Sequence, residues 1–162
     1  MKKENNKMTS ENTTMMVVKE DLAGGELLDQ LKNPNGQIYC SMKNDGTRKS
    51  AVKIYNAISS AEKNIADMIN MTLDIVNVVA HPITLTDEVT GETVTALRTV
   101  LVDKDGVGYA AVSGGIANSL SRIFSIVGMP DNNAWEKEPV KMKIKQVKTR
   151  DGVNSVLTIE LV

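Results

Sequence analysis

The segment TLDIVNVVAHPITLTD, from Thr72 to Asp87, does most to decide what this chain folds into. Side chains branched at Cβ fill it, and such residues suit a pleated, half-buried surface better than a helix. A strand spanning about 72–86 is expected, with Pro82 marking a bulge, an edge or a sharp bend because proline cannot donate to a ladder. Neighbours for it follow. Thr90-Gly91 turns into ETVTALRTVLV, and Asp103-Lys104-Asp105-Gly106 makes a tight turn into VGYAAVS, which pairs back as a hairpin. VKMKIKQVKT and VNSVLTIELV, joined at Arg150-Asp151-Gly152, form a closing hairpin. Before the long strand, Val52, Ile54, Asn56 and Ile58 alternate with Lys53, Tyr55, Ala57 and Ser59, which predicts a first strand over about 51–58. Ser59-Ser60 then caps a short helix of two turns at most, with Ala61, Ile65, Met68 and Ile69 on one face. The clearest helix carries Ile116, Leu120, Ile123, Phe124 and Val127 as its apolar stripe. Gly128 ends it and Pro130 forbids its return.

With 162 residues there is room for one core and an appended tail. Residues 1–14 are polar and aperiodic and are expected to be a disordered tail. Residues 15–49 read as a weakly ordered extension with a helical turn at Leu27–Lys32 and a short strand at Gln37–Met42. Residues 50–162 make the folded domain. No apolar run reaches the roughly 18–20 residues of a bilayer span and Met1–Thr14 is too polar for a signal peptide, so a cytoplasmic protein without membrane contact is expected. One cysteine, Cys40, and one histidine, His81, supply neither a disulfide framework nor a zinc site.

Catalytic arrangements are also missing. His81 has no nucleophile motif beside it, and no serine sits in G-x-S-x-G or S-x-x-K with its partners. An enzyme is not expected, and no cofactor is implied. Gly106-Val107-Gly108 and Ser113-Gly114-Gly115 invite a phosphate-cradle reading, but a tight turn and a helix start account for these glycines several times more readily.

The net charge of −1 confines any nucleic-acid footprint to a local patch. Lys141, Lys143 and Lys145 alternate along one strand, with Lys148 and Arg150 approaching the turn. Three ammonium groups about 7 Å apart on one face repel each other, a cost relieved by a polyanion alongside. Lysines that protect an exposed sheet edge from aggregation fit this strand equally well. Lys104, in the Asp-Gly turn, is a further candidate contact. Among five aromatic residues, Tyr109 lies between small neighbours that would leave its ring open for base stacking, and a core tyrosine is as compatible with the sequence. Tyr55 is a second stacking candidate. Trp135 reads more readily as a plug over the barrel end than as a base platform, and Phe124 as core.

Element order is then β, β, β-hairpin, α, β, β. It matches the OB-fold, a mostly β, five-stranded Greek-key barrel with one helix between strands 3 and 4, and an SH3-like barrel or an α+β sandwich shares it. The segments KIYNAIS, TLDIVNVVAHP, TVLVDKDGVGYAAVS and VKMKIKQVKTRDGVNSVLTIELV resemble the single-stranded DNA-binding proteins of small tailed phages with protein-primed replication and related Gram-positive mobile elements. The resemblance covers Val52 to Val162, with Asp105, Gly106, Tyr109 and Ser113 as its hallmark. The first fifty residues have no counterpart in it. It implies an OB-fold that coats displaced single strands without sequence preference, with Tyr109 on the DNA. Some members place a tyrosine where this chain has His81-Pro82. Partners implied are single-stranded DNA, further copies along the strand and replication proteins. The rival reading is a protein-interaction module of a phage or conjugative-plasmid replication complex, and a third is an RNA-binding barrel.

Overall fold

A computed structural model describes residues 38–162 of the protein. The expected disordered tail and the helical turn at Leu27–Lys32 lie outside the described residues. In chain order come β1 (Tyr39–Cys40), α1 (Arg48–Ser59), β2 (Lys63–Asn64), β3 (Thr72–Thr86), β4 (Thr93–Asp103) and β5 (Gly108–Ala111). They are followed by α2 (Gly114–Ile126), α3 (Ala134–Lys137), β6 (Val140–Lys148) and β7 (Ser155–Leu161). The strands form one mixed sheet, ordered β2-β5-β4-β3-β6-β7, with β1 on the β3 edge. It curls into a half-barrel that carries three helices among the described residues, where one long and one short helix were expected.

β3 is the spine, as its composition requires. Its first four residues pair with β6, and its length from Ile75 onward pairs with β4. The ladder to β4 shifts between Ile75 and Asn77, so the bulge falls at Val76 and not at Pro82. Ile75 and Val78, three residues apart, therefore both enter the inner core, while Asp74 and Val79 face outward. Pro82 marks an edge instead. Ser41 N–H donates to the Val78 carbonyl on the side of β3 away from β4, and alternation turns the backbone of residues 80 and 82 the same way. β1 ends its pairing at Ala80, so the N–H that Pro82 lacks would have met no strand among the described residues.

The concave side holds the main core, where Leu73, Ile75, Val78, Leu101, Met142 and Ile144 meet Ile116, Leu120, Ile123 and Phe124 of α2. Each fully buried side chain of this size contributes roughly 1.5–3 kcal/mol. Of the expected apolar stripe, Ile116, Leu120, Ile123 and Phe124 lie on the buried face of α2, whereas Val127 is its half-exposed C-cap; the helix starts at the Ser113 cap and is followed by Gly128 at φ 111°. The helix leans on β7. A Cβ on Gly115 would lie 2.0 Å from the Leu157 carbonyl oxygen, and Ser119 Oγ accepts from Ile159 N–H at 3.2 Å.

The segment expected as the first strand is α1. Thr47 Oγ1 caps it by accepting from Ser50 N–H, and Ile54 is its buried residue, with Ala57 and Ile58 packed beside Val79, Val100 and Val102 on the convex side of the sheet. Ile54 and Ile58 fit both periods, two and 3.6, and the half-exposed Val52 shows that the helical one holds. Arg98 secures the helix end by donating to the Ile58 carbonyl at 2.5 Å. The short helix expected after Ser60 is instead β2, parallel to β5, followed by a 3-10 turn over Ile65–Met68 that buries Ile65.

Candidate nucleic-acid interface

The interface is built outward from the turn between β4 and β5. Asp103, nearly buried, accepts at Oδ1 from the Asp105 and Val107 amides, both at 2.9 Å, and at Oδ2 from the Tyr109 hydroxyl at 2.8 Å. Burial first, then Asp103, pushes the Tyr109 phenol up to about 12. Gly106 takes φ 86°, which the turn requires. The glycines near the helix serve the Ser113 cap and the close approach at Gly115, so no phosphate cradle is needed to explain them.

This turn presents Lys104 to the outer face. Lys104 N–H donates to the Asp74 carbonyl at 3.0 Å, and its Nζ lies 3.3 Å from Asp74 Oδ2. Lys141 of β6, directly opposite Asp74 in the ladder, reaches Oδ1 at 2.9 Å. The two ammonium groups, Lys141 first, hold the Asp74 carboxyl below the usual carboxylate range. Met142 and Ile144 point inward, so Lys143 and Lys145 share the outer face with Lys141, and Lys145 lies 3.7 Å from Glu160 of β7. Four lysines thus share one face with two carboxylates, Asp74 and Glu160.

Beyond Lys104 the face continues as a groove under α1, past Lys53 toward Lys43 and Lys49. Asp45, Glu62, Asp103 and Glu136 also line it. Three of these carboxylates are bound to the protein's own donors: Asp45 to Thr47, Asp103 to its turn, Glu136 to Asn77. Sequence reasoning missed Lys43, Lys49 and Lys53, because lysines on α1 or just before it have no visible tie to a sheet seen only as a later hairpin. Asp74 was missed because its partners Lys104 and Lys141 lie far along the chain.

Tyr109 is 5% exposed and belongs to the inner core, so the expected surface ring is corrected. Small neighbours let the ring fold inward over Asp103 instead of leaving it open. Trp135 is buried too, its ring 5.9 Å from Phe124 in an edge-on contact, and it presents no open platform. Tyr55 is 66% exposed on α1, roughly 200° around the helix from Lys53, hence outside the groove. Lys148 and Arg150 stand exposed at the β6–β7 turn.

A half-barrel that gathers ammonium groups from separate elements onto one outward face is built like a polyanion-binding protein. A sequence model of phage single-stranded DNA-binding proteins matches residues 34–162, and the chain belongs to this Phi29-type family. The match starts well ahead of Val52, which corrects the expectation that the first fifty residues have no counterpart: β1 and α1 lie within it. No curated protein and no solved structure matches the chain. Among the described residues no helix is long and apolar enough to cross a membrane, and no group of acidic, histidine or cysteine side chains is placed to hold a metal.

Proposed function

We propose that this protein coats single-stranded DNA without sequence preference and protects displaced strands during replication of a phage or related mobile element in a bacterial host cytoplasm. The observation that carries the reading is the joining of Lys104 and Lys141 at Asp74, which extends the Lys143–Lys145 row toward the α1 groove. Family membership supplies the ligand class. An OB-fold fits the order β5-β4-β3-β6-β7 with α2 inserted between β5 and β6, and in that fold the second and third strands carry the oligonucleotide face. Here those are β4 and β5, whose turn holds Lys104.

Fluorescence titration with labelled oligo-dT against the matching duplex tests the reading. Affinity is expected for the single strand only, falling with salt at a log–log slope near −0.7 per phosphate contact. Changing Lys141, Lys143 and Lys145 together to alanine is expected to flatten that slope. A folded triple variant with the parent's slope would return the row to edge protection.

A further inference from the structure

The two long hairpins end in opposite chemistry. Leu85 and Val94 face each other across the β3–β4 hairpin, 43% and 59% exposed, and its turn carries Asp87, Glu88 and Glu92. No lysine or arginine occurs from Pro82 to Leu97. Beyond Ala80 on β3 and before Thr99 on β4, neither outer edge is paired among the described residues. At the β6–β7 hairpin, Val147 and Val156 form the matching cross-strand pair, 43% and 39% exposed, and the flanking charges are Lys148, Arg150 and Asp151, whose carboxylate is held within the turn by Thr149 Oγ1 and the Val153 amide. Among the described residues no ion pair engages Glu88, Glu92, Lys148 or Arg150.

Direction completes the match. β6 pairs with Thr72–Ile75 at the start of β3 and then runs on past it, whereas β3 and β4 continue together to Thr86 and Thr93. The two turns therefore point opposite ways along β3.

We propose that copies of this chain join head to tail, the acidic β3–β4 hairpin of one docking on the basic β6–β7 hairpin of the next. Each contact pairs an apolar ladder position with another and sets Glu88 and Glu92 against Lys148 and Arg150, while Asp87 and Asp151 are held by the amides of their own turns. Because the two surfaces differ, the contact is heterologous, and with the two turns pointing opposite ways along β3 it extends copy by copy, which suits a protein that lines up along a strand. Its use in cooperative coating rests on the single-stranded DNA reading, whereas the contact itself does not.

Full-length Val89→Cys and Val153→Cys variants, alone and mixed, would be treated with a short bismaleimide on long poly-dT and on an oligo-dT that holds one copy. Cross-linked dimers are expected from the mixture on the long strand, not from either variant alone. Same-site dimers as abundant as mixed ones, or no mixed dimers, would overturn the proposal. Glu88→Lys with Glu92→Lys is expected to abolish cooperative binding to poly-dT and the cross-link, with short-oligomer affinity no weaker. Reversing Lys148 and Arg150 to glutamate in the other partner should restore the cross-link, and failure of that rescue counts against the contact. If short oligo-dT does not bind at all, the DNA reading fails, and the same cross-linking in concentrated protein at low salt decides the contact alone.

Discussion

Tyr109 shows how a correct residue acquires a different role once its neighbours are in place. The hallmark Asp105, Gly106, Tyr109 and Ser113 was legible as a motif, but Asp103 was not part of it, and Asp103 is the residue to which the turn amides and the tyrosine hydroxyl all donate. A carboxylate two residues before another aspartate offers no sequence signal of which one turns inward. Tyr109→Phe leaves the Asp103 oxygen without its donor and is expected to cost about 1.5–3 kcal/mol of stability, the range for hydrogen bonds to charged groups. Tyr109→Ala is expected to cost about 3–5 kcal/mol. Chemical denaturation of both variants checks this, and a phenylalanine variant as stable as the parent would contradict it. Linkage gives the same bond a pH signature. The phenol titrates near 10.0 when unperturbed and about 12 when folded. The folded state therefore holds this proton more tightly. Its stabilisation is complete below pH 10 and is lost as pH rises toward 12.

Among elements, the strands from Thr72 onward and α2 were read in place, because composition and period agreed there. α1 was not, since four alternating residues fit a strand while Thr47, the cap that fixes the helix, lies outside the alternation. β2 pairs through two residues, too few for any period to register. α2 carries the sharpest element-level expectation. Glycine to alanine inside a helix ordinarily stabilises by roughly 0.5–1 kcal/mol. At Gly115 the added methyl would meet the Leu157 carbonyl at 2.0 Å, so the sign should reverse. A loss of about 1–3 kcal/mol is expected, the usual cost of overpacking, and thermal melting of Gly115→Ala measures it. Gly114→Ala, with nothing within 4 Å, is the matched control.

For the whole molecule, the part of the fold legible in the sequence was the run of strands from Thr72 onward about α2, and what remained hidden was the first strand's true identity as α1 and how the sheet is covered. Burial is unequal on its two sides: a large inner core under α2, and a small outer one where α1 contributes Ile54 as its single fully buried side chain. Local stability follows such differences. Native-state hydrogen exchange is expected to open α1 well before the centre of β3, where Val78, Val79 and Ala80 are wholly buried. Equal protection of the two would refute it. Both sides nonetheless depend on the same extra residue in β3. Before Val76 the outward positions are even-numbered, as at Asp74, and after it they are odd-numbered, as at Val79. The strand changes phase once, and only that change lets an acidic anchor for lysines and an apolar seat for α1 occupy one surface. An insertion or deletion of a single residue there would exchange the two surfaces downstream with composition almost untouched, so what this protein displays to its surroundings is governed as much by counting along β3 as by chemistry.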